Sequence, residues 1–362
     1  MTDVAIATEI LRQAPKVLLH DHLDGGLRPQ TIVELAAEVG HQLPAADAES
    51  LRHWFAESAD SGSLVRYLET FDHTTAVMQT PSALRRVAAE MVLDLAADGV
   101  VYVESRWAPE QHLRAGLTLD EAVDAVTEGL ADGMAEAADD GHPIIARQLL
   151  IAMRHASSAT EIAELAVRHR KDGVAGFDIA GAEAGYPPTR QLAAFDHIKR
   201  NNGYITIHAG EAFGLPSIWE AVQLCGANRL GHGVRLIDDI EVTADGATVG
   251  DLAGYIRNLR VPLEMCPSSN VQTGAARSVA EHPIGTLARL GFRVTVNTDN
   301  RLMSDTTMTK EFAALAAAFD YDLDYVRWLT INAAKSAFYP HPDRLRLIED
   351  VIKPGYAALG AG

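Results

Sequence analysis

The amino-acid sequence predicts an α/β fold, a (β/α)8 TIM barrel with a helical C-terminal tail. Short apolar runs alternate with longer segments rich in Ala, Leu, Glu and Arg, which is the pattern of parallel β/α units. Eight such runs occur in the 362 residues, and no low-complexity linker, charge block or repeat divides them. The alternative, a doubly wound open sheet, would carry a GxGxxG turn after its first strand, and residues 20–26 lack that spacing.

The predicted strands are short runs of the aliphatic and β-branched residues that favour an extended chain. In chain order they are Lys16–His20, Val100–Glu104, Ile144–Met153, Val174–Ile179, Tyr204–His208, Arg229–His232, Val261–Met265 and Arg293–Asn297. The predicted helices between them have typical start signals, such as Thr80 followed by Pro81. In chain order they are Thr80–Ala97, Thr118–Ala138, Ser158–Arg170, Pro188–Asn201, Pro216–Cys225 and Val249–Arg260.

Residues 27–80 separate the first two predicted strands and contain no predicted strand of their own. We expect this insert to add extra helices over the catalytic face, because loops at the carboxyl ends of the strands form that face of a barrel. Within the insert an apolar stripe recurs at the spacing of one helical face, formed by Leu64, Tyr67, Leu68 and Phe71. We expect the stripe to pack against the barrel. The alternative is a hydrophobic lid over a ligand.

The composition excludes several classes of partner. The chain has 31 Lys and Arg residues against 49 Asp and Glu residues, a formal charge of −18. Because binding of polyanions requires a basic surface, neither nucleic acids nor anionic membranes are expected partners.

The N-terminal residues are acidic where a secretion signal is basic, and no apolar run approaches the ~20 residues of a membrane span. Cys225 and Cys266 cannot form a disulfide framework, so we expect a cytoplasmic protein.

Residues that can bind a metal or carry a proton fall at the ends of predicted strands. His20 and His22 flank the end of the first strand, and because alternate residues of a strand face the same side, both imidazoles can reach one point. The fifth, sixth and eighth strands end in residues of the same kind: His208 with Glu211, His232, and Asp299 with Asn300. The carboxyl ends of all strands meet at one mouth of a barrel, so we expect these side chains to converge there.

Imidazoles and one carboxylate, without a thiolate, favour a borderline divalent metal, and zinc is the first expectation. The expected protein ligands of one Zn²⁺ per chain are His20, His22, His208 and Asp299. A water at the open position would have its pKa lowered toward neutrality by the metal, which supplies hydroxide near pH 7. Three groups are then available for proton transfer: Glu211, His232 and Asp299 itself.

Other candidate ligands are set aside. Cys266 ends the seventh strand, and we expect it to be buried because the ligand set is complete without it. His155, just after the third strand, stays ambiguous. The remaining histidines fall in loops or on helices and are assigned to the surface or to packing: His41, His53, His73, His112, His142, His169, His197, His282 and His341.

Six motifs carry a resemblance to a known family. They are PKVLLHDHLDG at 15–25, GFDIAG at 176–181, HAGE at 208–211, RLGHG at 229–233, CPS at 266–268 and NTD at 297–299. The chain resembles the adenosine deaminase branch of the metal-dependent amidohydrolase superfamily, from residue 15 to 300 and onward through the helical tail. The resemblance implies one such domain over residues 1–362. It also implies zinc-dependent deamination of a small-molecule substrate, adenosine or 2′-deoxyadenosine, in purine salvage.

The resemblance also implies roles for single residues. The implied zinc ligands are His20, His22, His208 and Asp299. Glu211 resembles the acid that protonates purine N1, and His232 resembles the imidazole that holds and helps to deprotonate the attacking water. The implied substrate contacts are His22, Asp24, Gly181 and Asn300, with the Gly181 backbone near N3 and Asp24 near the ribose 5′-hydroxyl.

Asn300 departs from the family pattern, because many relatives have an aspartate that contacts purine N7 at this position. An asparagine amide can donate to N7 at any pH, whereas an aspartate must be protonated to do so. The departure preserves N7 recognition and leaves the range of purine analogues open.

Other functions stay open on the same scaffold. An AMP deaminase must bind a 5′-phosphate, which Asp24 would repel, and Arg28 alone is a weak counterpart. Adenine or a 5′-modified adenine nucleoside is an alternative substrate that the sequence does not separate from adenosine. A catalytically silent binder of metal or nucleoside would not need Glu211. The sequence makes no prediction of oligomeric state.

Overall fold

The computed structural model describes residues 6–243 and 246–361, and the strands within them follow the predicted order. They are β1 (Lys16–His22), β2 (Val100–Trp107), β3 (Ile145–Met153), β4 (Val174–Ala180), β5 (Thr206–Ala209), β6 (Arg229–His232), β7 (Ile240–Thr243), β8 (Gly246–Val249), β9 (Leu263–Met265) and β10 (Val294–Val296). One parallel sheet has the order β1-β2-β3-β4, and a second has the order β10-β9-β6-β5. β7 and β8 pair antiparallel with each other in a separate sheet.

The two four-stranded sheets close into one barrel at two seams. Asp21 of β1 bridges to Asp299 after β10, and Phe177 of β4 bridges to Ile205 before β5, both in parallel orientation. Each barrel strand therefore has a neighbour on both sides, which leaves no open sheet edge. The predicted (β/α)8 barrel is confirmed.

The helices fill the connections between strands and form the C-terminal tail. The α-helices are α1 (Thr8–Gln13), α2 (Pro29–Val39), α3 (Ala48–Ala59), α4 (Leu64–Glu69), α5 (Phe71–Val77), α6 (Pro81–Ala97), α7 (Leu119–Asp139), α8 (Ala159–Arg168), α9 (Leu192–Arg200), α10 (Leu215–Trp219), α11 (Asp251–Asn258), α12 (Pro267–Gln272), α13 (Ile284–Arg289), α14 (Met308–Phe319), α15 (Leu323–Ser336), α16 (His341–Arg346) and α17 (Lys353–Ala358). Short 3₁₀ segments lie at Pro109–His112, His169–Lys171, Pro188–Gln191 and Val234–Asp239, and π-helical segments at Glu220–Leu224 and Leu347–Ile352. No helix in the part of the chain that the structure describes combines the length and the apolar character needed to cross a lipid bilayer.

The starts of the two longest helices follow the capping residues in the sequence. Thr80 precedes α6, and its hydroxyl accepts the backbone N–H of Ala83 at 3.2 Å. Thr118 precedes α7 and forms a reciprocal capping box with Glu121. Each cap satisfies backbone N–H groups that have no partner within the helix, which fixes where the helix begins.

Several boundaries differ from the prediction. The predicted helix Val249–Arg260 begins only at Asp251, because Val249 ends β8. The β7–β8 pair was not predicted, since each strand has four mostly exposed residues and lacks a buried apolar run. β1 extends two residues beyond the predicted end and therefore includes His22.

The insert between β1 and α6 forms α2–α5 and lies over the carboxyl ends of the barrel strands. The Gly62 N–H donates to the carbonyl of Gln272, at the end of the helix that follows β9. Tyr67 and Arg52 contact Ser304 and Asp305 in the loop after β10, at 3.3 Å and 2.8 Å. These contacts place the extra helices on the predicted face.

The helices α6 and α7 pack closely outside the barrel because α7 presents glycines to α6. A methyl group added at Gly133 would lie 2.7 Å from the carbonyl oxygen of Ala89, and one at Gly129 would overlap the carbonyl oxygen of Arg85. Real side chains do not tolerate such distances unless the helices move apart. The close approach of the two helices therefore depends on glycine at both positions.

We predict that Gly129→Ala destabilises the protein by about 1–3 kcal/mol, the usual cost of overpacking. The measurement is the free energy of unfolding in denaturant. Gly254→Ala is the matched control, because Gly254 lies in α11 with no atom within 4 Å of an added methyl group. There alanine should be neutral or stabilise by up to about 1 kcal/mol. Equal effects of both substitutions would contradict the packing argument.

Candidate metal centre and active site

Side chains from both sheets meet at the mouth of the barrel. Asp299 Oδ1 lies 3.2 Å from His20 Nε2 and 3.3 Å from His22 Nε2. His22 Nε2 in turn lies 3.3 Å from His208 Nε2. The ligand atoms of a tetrahedral zinc ion, with bonds of about 2.0–2.1 Å, lie about 3.3 Å apart. These three distances therefore match the spacing of ligand atoms around one small divalent cation.

His232, on β6, belongs to the same cluster. One ligand atom from each of His20, His208, His232 and Asp299 lies within 4.8 Å of the others, so this set also forms a possible metal-binding group. His20 Nε2 is buried and has no hydrogen-bond partner among the described residues. A buried polar atom without a partner is costly, and a cation at this position would satisfy it. The donor set and the unpartnered nitrogen both fit a metal site.

Burial keeps two histidines of the cluster, His20 and His22, neutral. Burial, followed by the charge of Arg106, lowers the pKa of His20 to about 4. Burial also lowers the pKa of His22 well below its usual range, and the charge of Asp299 opposes only part of that shift. At pH 7 both rings are therefore neutral and have one nitrogen with a free lone pair, which is the form that binds a metal.

Buried carboxylates of β4 and β9 contact the Nδ1 atoms of two of the imidazoles. His20 Nδ1 lies 3.1 Å from Glu264 Oε2, and His208 Nδ1 lies 2.9 Å from Asp178 Oδ2. Arg106 joins the two carboxylates, with Nη1 2.7 Å from Asp178 and Nη2 2.7 Å from Glu264. Histidines that bind metals commonly donate their second ring N–H to a carboxylate, which fixes the ring orientation and its tautomer. His20 has this hydrogen bond, and His208 has a carboxylate at the corresponding distance from its Nδ1.

Asp299 is fixed at one seam of the barrel. The backbone N–H of Asp299 donates to the carbonyl of His20 at 2.9 Å. The backbone N–H of His22 donates to the carbonyl of Asp299 at 2.8 Å. Ser269 Oγ donates to Asp299 Oδ2 at 2.6 Å. Burial alone would raise the pKa of Asp299, but the contacts with His20, then His232 and His22, hold it well below its usual range. The carboxylate is therefore ionised and held in one orientation.

Glu211 lies buried beside the histidines. Thr273 Oγ1 donates to Glu211 Oε1 at 2.9 Å, and Glu211 Oε2 lies 3.5 Å from His232 Nε2. Burial raises the pKa of Glu211, and the neighbouring His232 opposes the shift only in part. The raised pKa favours the protonated carboxyl, which is the form that can donate a proton.

A second buried carboxylate fixes the loop that carries Glu211. The Glu183 side chain accepts hydrogen bonds from four consecutive backbone N–H groups, those of Gly210 at 2.6 Å, Glu211 at 3.1 Å, Ala212 at 2.8 Å and Phe213 at 2.9 Å. Charge-assisted hydrogen bonds of this kind are stronger than neutral ones. The backbone of Glu211 is therefore held in one position.

Four side chains of the cluster line an inner cavity that adjoins a larger outer cavity: His22, His208, His232 and Asp299. The stripe of the insert lines the inner cavity: Leu64, Tyr67, Leu68 and Phe71. Of these residues Tyr67 is fully buried and contacts Ser304, as expected for packing. The stripe as a whole also borders the cavity, so it forms an apolar wall of the cavity as well as packing against the barrel.

The predicted substrate contacts also border these cavities. Asn300 lines the inner cavity, Asp24 the outer one, and Gly181 both. Gly181 has φ +106°, which side-chain-bearing residues rarely adopt, so its backbone can approach a ligand closely. Burial raises the pKa of Asp24 to about 7. His155, ambiguous from the sequence, lines the outer cavity.

Cys266 is buried, as expected, and lies outside the metal-binding group. Its thiol donates to the carbonyl of Glu264 at 3.5 Å. Burial raises the pKa of the thiol well above its usual range. The thiol is therefore neutral, which is not the form that binds a metal.

The sequence matches the family model described as adenosine deaminase over residues 15–354. The chain belongs to the adenosine deaminase family. Among curated relatives, adenosine deaminase 1 of Streptomyces coelicolor is 66% identical over 96% of this chain and 89% of its own length. The adenosine deaminase of Mycobacteroides abscessus is 62% identical over 96% of this chain and 97% of its own length.

Solved structures resemble this member of the adenosine deaminase family over nearly the whole chain. An adenine deaminase from Arthrobacter aurescens has a TM-score of 0.81 and 25% identity, covering 94% of this chain and 98% of its own. An amidohydrolase from Burkholderia ambifaria, solved with bound Zn, has a TM-score of 0.84 and 24% identity, covering 99% of this chain and 95% of its own. The second likeness supports the fold alone.

Some residues of this adenosine deaminase-family site were not predicted from the sequence. Asp178 and Glu264 lie within short apolar strands, and their contacts with histidines depend on which strands become neighbours. Glu183 lies in the loop after β4 and Asn270 lies in the short helix α12, and sequence spacing predicts the contacts of neither residue. The available signal was an acidic residue inside a buried strand, because such a residue is seldom buried without a partner.

We predict that Asp178→Asn weakens metal binding by about 10–100-fold, because His208 loses the carboxylate that orients its ring. The measurement is zinc affinity by competition with a coloured chelator. Asp172→Asn is the matched control, since Asp172 is exposed in the turn before β4. Circular dichroism checks that both variants are folded. Unchanged zinc affinity of folded Asp178→Asn would contradict the orienting role.

Proposed function

We propose that this chain is a zinc-dependent aminohydrolase that converts adenosine and 2′-deoxyadenosine to inosine and 2′-deoxyinosine with release of ammonia. The observation that carries the proposal is Glu211, buried beside a compact cluster of possible metal ligands and with a pKa that burial raises. Membership in the adenosine deaminase family supports it. We assign residues 1–362 to one metal-dependent amidohydrolase domain, because strands from β1 to β10 close one barrel.

We assign one zinc ion to His20, His22, His208 and Asp299. His232 also lies within reach, but its Nδ1 faces the side-chain nitrogen of Asn270 at 3.0 Å. His20 and His208 instead have a carboxylate behind the ring, as metal-bound histidines commonly do. When bound, the zinc ion supplies a water that ionises near neutral pH.

Glu211 is the proposed proton donor to purine N1. Attack at C6 makes that carbon tetrahedral and displaces an electron pair onto N1, so a proton delivered there removes the developing charge. A carboxyl can deliver a proton only if it holds one, and burial raises the pKa of Glu211 in that direction. Glu183 supports this role because it fixes the backbone of the loop.

His232 and Asp299 are the proposed partners of the attacking oxygen. His232 Nε2 lies 3.5 Å from Glu211 Oε2, so His232 and the proposed proton donor Glu211 border the same small volume. Asp299 is ionised and can accept a hydrogen from the water through its carboxylate. The orientation of both side chains is fixed by neighbours, Asn270 for His232 and Ser269 for Asp299.

The purine and ribose are proposed to occupy the two cavities. In the inner cavity we assign Asn300 to N7 and the Gly181 backbone to N3, with His22 at the boundary. In the outer cavity Asp24 is proposed to bind the 5′-hydroxyl. Burial raises the pKa of Asp24 to about 7, and the same buried surroundings disfavour a second negative charge beside it.

The outer cavity favours a nucleoside over a nucleotide. Its lining, among the described residues, includes Asp24 and Asp72 but neither lysine nor arginine. Arg28, the one nearby cation considered from the sequence, is paired with Asp94 at 2.6 Å. A 5′-phosphate would therefore lack the cationic partner that such a dianion requires. The outer cavity has room for a 5′ substituent, so a 5′-modified adenine nucleoside is the second candidate substrate and adenine is the third.

We further propose that the reaction serves purine salvage in the cytoplasm. Both cysteines, Cys225 and Cys266, are free and buried, as suits a reducing compartment.

The test of the proposed function is ultraviolet-monitored deamination of adenosine, 2′-deoxyadenosine, adenine, a 5′-modified adenine nucleoside and AMP by zinc-loaded protein. We expect the two unmodified nucleosides to have the highest kcat/KM and AMP the lowest. Removal of zinc with a chelator should abolish turnover, and added zinc should restore it. A higher kcat/KM for adenine or for AMP than for adenosine would refute the assignment.

We predict that Glu211→Gln lowers kcat by at least about 100-fold, because glutamine is isosteric but cannot supply the proton. Zinc content should not change, since Glu211 is outside the assigned ligand set. The measurements are zinc content and kcat on the same sample of Glu211→Gln and of the unmodified protein. Glu281→Gln, at an exposed position before α13, is the control. Retained turnover in Glu211→Gln would exclude Glu211 as the donor.

His22→Ala and His232→Ala distinguish the two possible ligand sets. We expect His22→Ala to weaken zinc affinity by more than about tenfold, because losing a direct metal ligand costs more affinity than losing a residue that only hydrogen-bonds a ligand. His232→Ala should retain zinc and lose turnover. The measurement is zinc content after dialysis against a weak chelator. Loss of zinc from His232→Ala alone would make His232, rather than His22, the ligand.

A further inference from the structure

His282, which the sequence analysis assigned to the surface or to packing, is buried at 2% exposure just before α13. Both ring nitrogens have hydrogen-bond partners. The backbone N–H of Ile284 donates to His282 Nδ1 at 3.0 Å, and His282 Nε2 lies 3.1 Å from Asn270 Oδ1. The ring therefore links the start of α13 to α12, which carries Asn270.

These contacts determine the tautomer of His282. Burial, followed by the charge of His232, lowers the pKa of His282 to about 3, so the ring is neutral at pH 7 and has one ring hydrogen. Because Nδ1 accepts from Ile284, that hydrogen must be on Nε2. His282 Nε2–H consequently donates to Asn270 Oδ1.

A second donor fixes the same amide oxygen. The backbone N–H of Cys266 donates to Asn270 Oδ1 at 3.2 Å. A rotated amide would place the Asn270 NH₂ group against the N–H of Cys266 and the N–H of His282, leaving all three donors without an acceptor. The orientation of the Asn270 side chain is therefore determined by its hydrogen bonds.

The fixed amide then determines the tautomer of His232. Asn270 Nδ2 lies 3.0 Å from His232 Nδ1 and 3.5 Å from Glu211 Oε1. An NH₂ group can only donate, so His232 Nδ1 must accept, and the ring hydrogen of neutral His232 is on Nε2. Nε2 is the nitrogen that faces Glu211, on the side of the metal cluster.

We propose that Asn270 and His282 are positioning residues that hold His232 as its Nε2–H tautomer, so that His232 donates a hydrogen bond to the attacking oxygen. This inference rests on the proposed function. It differs from the proton-accepting role that the family resemblance implies for His232, because a nitrogen that already carries hydrogen has no lone pair for a proton. Removing a preorganised donor to a reacting oxygen typically costs about 100–1,000-fold in kcat.

The direct test is the ring ¹⁵N spectrum of zinc-loaded protein labelled with ¹⁵N-histidine. The His232 signals are identified as those that disappear in His232→Gln. We expect Nε2 of His232 to show the shift of a protonated ring nitrogen and Nδ1 that of an unprotonated one. A hydrogen on Nδ1 would overturn the proposal. The spectrum requires no substrate, so it distinguishes failure of this inference from failure of the proposed deamination.

Variants at the two positioning residues test the link to turnover. Asn270→Asp is isosteric but offers His232 an acceptor, so we expect the ring hydrogen to move to Nδ1. We expect kcat to fall by about 100-fold, with KM within about threefold and zinc content unchanged. Unaltered ring shifts together with wild-type kcat in Asn270→Asp would overturn the proposal.

His282 provides an independent variant pair. His282→Leu removes the donor to Asn270 and should give a mixed His232 tautomer with lower kcat. His282→Gln can still donate through its amide and should restore both the single tautomer and most of kcat. His341→Leu, at an exposed position in the C-terminal tail, is the matched control. Equal kcat and equal spectra for His282→Leu and His282→Gln would overturn the role of His282.

Discussion

Arg106 lies inside the barrel with no exposed side-chain surface, and the orientation of the metal-site histidines depends on it. It pairs with Asp178 and Glu264, and these two carboxylates contact the Nδ1 atoms of His208 and His20. Removing one partner from a buried ion pair typically costs about 3–5 kcal/mol, because the remaining charge has no compensation. The imidazoles are therefore oriented by a network that the fold cannot easily rearrange.

The same network has an excess of negative charge that favours a cation. Arg106 and Arg229 face three buried carboxylates, Glu104, Asp178 and Glu264. Burial would raise the pKa of Glu264, but Arg106 and Arg229 hold it well below its usual range, so the carboxylate is ionised. A divalent ion at the histidines would compensate the remaining negative charge, which explains why charged residues occupy the barrel interior instead of the usual branched aliphatic side chains.

The sequence predicted the parts of the structure that depend on local pattern. Apolar runs identified all eight barrel strands, and strand ends identified the cluster around His20 and Asp299, because barrel closure brings every carboxyl strand end to one mouth. The carboxylates Asp178 and Glu264 were not predicted as part of the site. Their contacts depend on the arrangement of the strands in the barrel, which the pattern of a single strand does not specify. The contact of His282 with Asn270 was not predicted either, because the loop between α12 and α13 brings the two residues together. The β7–β8 pair was missed because short exposed strands lack a burial pattern.

The seams of the barrel give the metal site a structural consequence. At each seam the strand pairing in the described chain is a single β-bridge, and one of these bridges joins Asp21 to Asp299. His20 and His22 belong to the first sheet, whereas His208 belongs to the second and Asp299 follows its last strand. An ion held by these side chains would connect the two sheets across this seam. Its binding energy would then contribute to cohesion between the two halves as well as to chemistry.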